Sequence, residues 1–327
     1  MKQKKISALA VRGILAAVLI IAGILCVYPF LYVFSMSISA PEHVIRKDVT
    51  FLPKGFSLEG YKLVFENPTV WRSYRNTILY TVFGTALNMV LTVLAAYPLS
   101  REKFVLRRPV SILITITMYV SGGMIPFFIV VTNLGLYNTP LAVILPFAVS
   151  AWNIIIARSF YEEIPEALAE AAQIDGASHL TVLVKIMLPL SKPILSVLLL
   201  YYAVGHWNNY FWPMVLVPNP QYQPLQVFLR SLLILKQDVG GASAQIGISR
   251  TAQMEQLKYA AIIVSVLPIM FIYPFISEIL CKGRICGSGK RVNQKNPVAS
   301  AAFFSYNILG NKEAKKLGIL KRFIHII

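Results

Sequence analysis

The spacing of charges constrains this chain more than any other feature. No Asp, Glu, Lys or Arg occurs between Arg12 and Glu42, Arg75 and Arg101, Arg108 and Arg158, Lys192 and Arg230, or Lys258 and Glu278. A helix that crosses a bilayer needs about 20 mostly apolar residues. The gaps therefore accommodate spans near 13–36, 77–98, 109–132, 140–161, 194–217 and 259–279. The long central gap takes two of them, because TNLGLYNTP (132–140) supplies Asn, Gly and Pro turn chemistry in its middle. Only 14% of the residues are charged, against roughly 25% in soluble domains. The expected fold class is all-α, a polytopic membrane protein with six transmembrane helices. Lys2, Lys4 and Lys5 precede the first span and SISA (37–40) follows it, the arrangement of a cleaved leader. Its apolar run is longer than the roughly 7–15 residues of a leader core, so it is read as an uncleaved span.

An even number of crossings puts both ends on one side. The amino-terminal segment (1–12), the loop holding Arg101, Lys103, Arg107 and Arg108, and the tail (282–327) are basic, and by the positive-inside rule they are expected in the cytoplasm. The first outer loop opposes this with Arg46, Lys47, Lys54, Lys62, Arg72 and Arg75. The net charge of +17 fits basic ends that meet anionic lipid headgroups. No aromatic-interleaved basic module accompanies it, so nucleic acid is not an expected partner.

Against that basic background, Glu162, Glu163, Glu166, Glu170 and Asp175 gather in one hydrophilic island (162–192) between the fourth and fifth spans. The island reads as two short helices and a turn. Pro165 suits the first turn of the first helix. Glu163, Glu166 and Glu170 are expected on one face, with Ile164, Leu168, Ala171 and Ala172 on another. Asp175-Gly176 stops that helix, Ser178 caps the next, and LTVLVKIML ends before Pro189. Helices that lie on membranes present Lys and Arg to the lipid. This one presents glutamates on a slender, Ala-rich rod, which suits a groove in a soluble protein.

The register Glu170-Ala171-Ala172, Asp175-Gly176-Ala177, then Leu188-Pro189 resembles the EAA loop of ATP-binding-cassette importer permeases. The resemblance extends over about residues 12–291. Ile125-Pro126, the NLGL turn (133–136), Asn153 and WNNYF (207–211) resemble the maltose-type carbohydrate permeases. SGGMIP (121–126) and VGHWNNYF (204–211) resemble the lplC-like oligosaccharide permease subgroup. The resemblance implies a type I importer permease fold in which permease domain 13–281 forms half of a carbohydrate path in a bacterial plasma membrane. It implies three partners: a second permease, a pair of cytoplasmic ATPase subunits and an extracytoplasmic solute-binding protein. ATP and Mg would bind on the ATPase, and no cofactor on this chain. Glu166, Glu170, Ala171, Ala172, Asp175, Gly176, Leu188 and Pro189 would form the ATPase-coupling set.

Polar groups at membrane depth usually face a bundle interior or a water-filled path. His206, Trp207, Asn208 and Tyr210 are therefore the substrate-path candidates, with Asn209 beside them and Asn153 and Tyr119 as weaker members. Their aromatic rings and amides suit sugar faces and hydroxyls, although an interfacial belt or a helix contact would use the same residues. Pro126, Pro146, Pro213 and Pro268 are expected to kink spans. GSGK (287–290) is not a phosphate loop, since Arg284 and Arg291 occupy the positions of the first Gly and the final Ser/Thr. Three cysteines offer neither a disulfide framework nor a zinc spacing. No catalytic set is evident, so the chain is read as a transport subunit and not an enzyme. The alternative is a self-sufficient carrier or channel, disfavoured because the spans contain essentially no carboxylate for ion coupling. Residues 292–327 extend beyond the family pattern and are read as an extension without a transport role; a lipid-surface helix at about 313–325 is the other reading.

Overall fold

The computed structural model describes residues 2–238 and 253–271, with side chains over 13–233 and 253–271. Along the chain the helices are α1 (Lys2–Ser37), α2 (Pro41–Arg46), α3 (Glu59–Glu66), α4 (Pro68–Ser100), α5 (Arg107–Tyr119), α6 (Met124–Asn133) and α7 (Leu141–Phe147). They continue with α8 (Ala151–Glu162), α9 (Glu166–Ile174), α10 (His179–Leu190), α11 (Lys192–Asn208), α12 (Phe211–Leu216), α13 (Leu225–Asp238) and α14 (Gln253–Phe271). The described residues add one isolated bridge, Ser39 to Phe56. The tail, the GSGK segment, Cys281 and Cys286, and the end of the sixth expected span lie outside the described residues.

Among the described residues, three helices are long and apolar enough to cross a membrane unbroken: α1 from Gly13 to Ser37, α4 and α14. The expected third span is instead two helices, α5 and α6, that meet at 118°. Its break falls on Ser121-Gly122-Gly123, where Gly123 adopts φ +84, a conformation that only glycine reaches at little cost. Pro126 plays no part in it, because it sits in the first turn of α6 where an N–H is not needed. The fourth span bends by 47° between α7 and α8, with Pro146 in the last turn before the bend. Pro268 lies inside α14, which continues past it to Phe271. The fifth span is shorter than 194–217: α11 stops where Asn209 turns extended (φ −70, ψ 113), and α12 follows.

At the centre of the bundle α4 is built inside out. Ile78, Leu79, Val82, Phe83, Val90 and Leu94 are exposed, whereas Ser73, Asn76, Thr77, Asn88 and Thr92 are buried. Thr77 Oγ1 and Ser100 Oγ donate within the helix, to the Ser73 and Tyr97 carbonyls, but other bonds of its buried groups tie α4 to distant segments. Asn76 Nδ2 donates to the Gln221 carbonyl (2.8 Å), and the Tyr80 hydroxyl to that of Tyr222 (2.8 Å). The Leu225 N–H donates to Thr77 Oγ1 (2.8 Å), which places the start of α13. Asn88 Nδ2 donates to the Phe147 carbonyl (2.7 Å), and Thr92 shares a 2.6 Å bond with the Tyr202 hydroxyl of α11. An unpaired polar group in hydrocarbon costs several kcal/mol, so these bonds select the neighbours of α4 where apolar contact alone would not.

One buried side chain locks the loop after α1. Gln256 of α14 is 0% exposed. Its Nε2 donates to the carbonyls of Ser39 (2.9 Å) and Ser57 (2.8 Å), and its Oε1 accepts from the Gly60 N–H (3.1 Å). A Cβ on Gly60 would lie 2.9 Å from Gln256 Cγ, so α3 approaches this closely only through glycine. Gln256→Ala orphans those backbone groups at about 1–3 kcal/mol each. It is expected to lower the thermal unfolding midpoint of the detergent-solubilised protein, whereas Gln253→Ala, which removes only a surface bond from a half-buried side chain to Glu59, is expected to lower it much less.

Candidate functional site

Two regions hold the residues singled out by the sequence. The first is the island. Pro165 caps α9 and Glu166 opens it, beside the positive end of the helix. The face expected to be apolar divides. Ala169 is 3% exposed and packs with Ile164 and Ala172 on a core that includes Tyr97, Tyr161, Val182 and Met187. Ala171 and Leu168 remain exposed. Glu163 belongs to the end of α8 and does not share the face of Glu166 and Glu170, because the chain breaks helical geometry at Pro165 (ψ 127). Gly176, φ +84, turns the chain after α9, and nothing lies within 4 Å of where its Cβ would be. Glycine is required there by backbone conformation, with open space left for an approaching partner. The Ser178 side chain accepts from the Thr181 N–H and caps α10.

The second island helix runs past its expected end. Leu183–Met187 form a π turn in which the Leu188 N–H reaches the Leu183 carbonyl, five residues back. That wider turn lets Pro189 follow without ending the helix, and α10 continues to Leu190 before an 85° corner at Ser191 leads into α11. Outside the core contact, Leu168, Ile174, Leu180 and Val184 are all exposed, with Ile174 at 86%. Asp175 lies among them, exposed as well.

The acids are less available than their sequence suggests. Lys103 Nζ donates to Glu170 Oε1 (2.9 Å), and Glu162 Oε1 accepts from both Arg107 (2.8 Å) and Arg158 (2.7 Å). The bond and charge of Glu170 raise the Lys103 ammonium above its ordinary pKa. The basic loop after α4 and the acidic island thus sit at one end of the bundle and partly neutralise each other. The Lys103–Glu170 pair is exposed on both sides, a kind of pair worth little and easily exchanged for another partner.

The second region is a polar cleft of about 350 Å³ lined by Asn88, Ser150, Asn153, Tyr201, His206 and Asn209, among others. His206 Nε2 donates to Asn88 Oδ1 (2.9 Å), since an amide oxygen only accepts. The sequence candidates part company here. His206 and Asn153 line the cleft; Trp207, Asn208, Tyr210 and Tyr119 do not. Trp207 donates its Nε1–H to the Ser265 carbonyl (3.2 Å) and meets Tyr74 edge-on, a helix-to-helix contact. Tyr210 lies under the Arg230 guanidinium, 5.7 Å from ring centroid to Cζ. Asn88, Ser150 and Tyr201 were missed, although an asparagine in the middle of a charge-free gap is itself a pointer to the bundle interior.

Residues 76–284 match a family model described as the binding-protein-dependent transport system inner membrane component. The chain belongs to this family. It is therefore an inner-membrane permease, a transport subunit and not an enzyme, as the EAA register implied. It is 38% identical to the Bacillus subtilis polygalacturonan/rhamnogalacturonan transport system permease YtcP, over 83% of this chain and 95% of that one. It is 37% identical to B. subtilis LplC, over 82% and 90%. A solved chain of a bacterial transporter that imports the acidic polysaccharide alginate superposes with a TM-score of 0.75 at 37% identity, covering 82% of this permease and 96% of that chain. A self-sufficient carrier is excluded by this membership.

The cleft yields a paired test. A Cβ on Gly84 would lie 2.6 Å from the His206 ring, which its bond to Asn88 holds in place, whereas nothing lies within 4 Å of a Cβ on Gly205. Gly84→Val is expected to reduce folded permease recovered from membranes and to abolish uptake. Gly205→Ala is expected to leave both near wild type.

Proposed function

We propose that this permease forms half of the path for an acidic oligosaccharide and is driven by a separate ATPase that docks on α9 and the Asp175-Gly176 turn. The observation that bears most weight for coupling is the island's form. A core-anchored helix presents Leu168, Ala171, Ile174 and Leu180 outward around a turn with open space beside it. Glu170 and Asp175 supply polar contacts at its edge, Glu166 sits at the head of α9, and Leu188-Pro189 lead into the Ser191 corner. ATP and Mg belong to the ATPase. A second permease completes the path, and a solute-binding protein delivers the sugar to the loops at the opposite end.

The substrate reading draws on two relatives, named for polygalacturonan/rhamnogalacturonan and for alginate. It draws equally on a cleft whose amides and hydroxyls match sugar hydroxyls, with His206 and Asn153 on its wall. Arg230 over Tyr210 adds a cation beside the WNNYF segment, suited to a uronate carboxylate. The topology reading puts both termini and the island in the cytoplasm. It is supported by the contacts of Lys103 and Arg107 with the island, which gather that basic loop and the acids at one end.

Two measurements test these assignments. Gly176→Val strains a positive-φ turn that a β-branched residue adopts poorly. In a reconstituted importer it is expected to uncouple ATP hydrolysis from uptake while membrane content stays at wild-type level; coupled transport at the wild-type rate refutes the docking assignment. Arg230→Gln is expected to lower uptake of an oligogalacturonate by about tenfold while sparing a neutral oligosaccharide, the loss of one charge-assisted contact of about 1.5 kcal/mol. Equal loss of both refutes the acidic-substrate assignment.

A further inference from the structure

An open cleft of about 730 Å³ lies between α5 and α8, away from the polar cleft and from the outer face of α9. Arg107, Arg108 and Arg158 line it, with Ser111, Ile112 and Ile116. The Arg158 Nη1–H donates to Ser111 Oγ (2.6 Å), and both Arg107 and Arg158 are held by Glu162. Their side chains are 27% and 24% exposed, so they are fixed in place yet still reachable. Arg108 is exposed and has no carboxylate partner among the described residues. Three guanidiniums thus face one carboxylate, an excess of two positive charges. Ile112 and Ile116, 53% and 51% exposed, continue the wall one turn apart along α5 into the span.

We propose that this cleft seats the phosphate headgroup of an anionic phospholipid from the leaflet on the island's side, with an acyl chain along Ile112 and Ile116. The occupant follows from charge and depth together. Guanidinium forks match phosphate oxygens in pairs, and the cluster stands where α5 enters the membrane, the level of the headgroups. A free phosphate would use the arginines but leave the two isoleucines idle. Val105 and Leu106, 91% and 55% exposed just before the cluster, provide further apolar surface at that level. Because Glu162 lies between two of the arginines and ends α8 directly before α9, a seated headgroup would brace the base of the island. The proposal rests on the membrane orientation given above and is independent of which sugar is carried.

The test uses the whole importer, purified in detergent and exchanged against phosphatidylglycerol, phosphatidylcholine or inorganic phosphate, with retained lipid counted by native mass spectrometry. Wild type is expected to retain phosphatidylglycerol over phosphatidylcholine, and excess inorganic phosphate is expected not to displace it. Arg108→Gln, which breaks no internal ion pair, is expected to lower retention about fivefold, the effect of one basic side chain at a lipid surface. Lys192→Gln, an exposed cation on the same side, is expected to change nothing. Ile112→Ser is expected to weaken retention with the arginines intact. Equal retention of the two lipids, equal loss in Arg108→Gln and Lys192→Gln, displacement by phosphate, or indifference to Ile112→Ser would each overturn the lipid site. ATP hydrolysis by the same Arg108→Gln complex reports separately on coupling, so failure of one assignment is distinguishable from failure of the other.

Discussion

The rest of this structure depends on the demand that polar groups be paired where no water can reach them. In a soluble bundle apolar faces find one another; in lipid every outward face is already satisfied. The helix α4 answers this by turning Ser73, Asn76, Thr77, Asn88 and Thr92 inward and leaving Ile78, Leu79, Val82, Phe83, Val90 and Leu94 outside. Its partners are then chosen group by group, among them the Phe147 carbonyl, the Tyr202 hydroxyl and the Leu225 N–H. The polar cleft follows from the same rule. Asn88 is half-spent on the Phe147 carbonyl and half-spent on His206, and Asn153, Tyr201 and Asn209 line other parts of the cleft wall.

The island shows how a charge pattern misleads when read along one dimension. Five acids in a short stretch suggested an acidic, slender rod that fits a groove in a soluble protein. Two of them are already engaged, Glu170 by Lys103 and Glu162 by Arg107 and Arg158. What α9 offers outward is chiefly apolar and slender, around a turn that needs glycine for its backbone. The proposed docking surface is therefore defined more by shape and exposed apolar groups than by net charge.

The polytopic, all-helical character was legible because hydrophobic length in a membrane is a local property, read from one window at a time; among the described residues three helices are long enough unbroken, and six spans result when each bent pair is taken as one. The turn at Gly176 and the Ser178 cap were legible for the same reason, as each is decided within four residues. The bends were not. Prolines were the expected kink sites, yet the largest break in the spans lies at Ser121-Gly122-Gly123, and Pro189 passes inside a helix because a π turn precedes it. The cleft was half legible: His206 and Asn153 stood out, while Asn88 and Tyr201 acquire meaning only once α4 and α11 are side by side. Trp207, chemically apt for sugar, is turned by the same packing toward Tyr74 and Ser265.

The 85° corner between α10 and α11 has a mechanical consequence. Ser191 at its apex is buried, and its N–H is bonded to the carbonyls of both Met187 and Leu188, with prolines at 189 and 193 on either side. Held rigid, such a joint would act as a bell crank. At about 1.5 Å per residue, the arm from the corner back to His179 is about 18 Å and the arm forward to His206 about 23 Å. With the angle held, a sideways tug of about an ångström on the short arm would reach the ring of His206 turned through a right angle and slightly magnified.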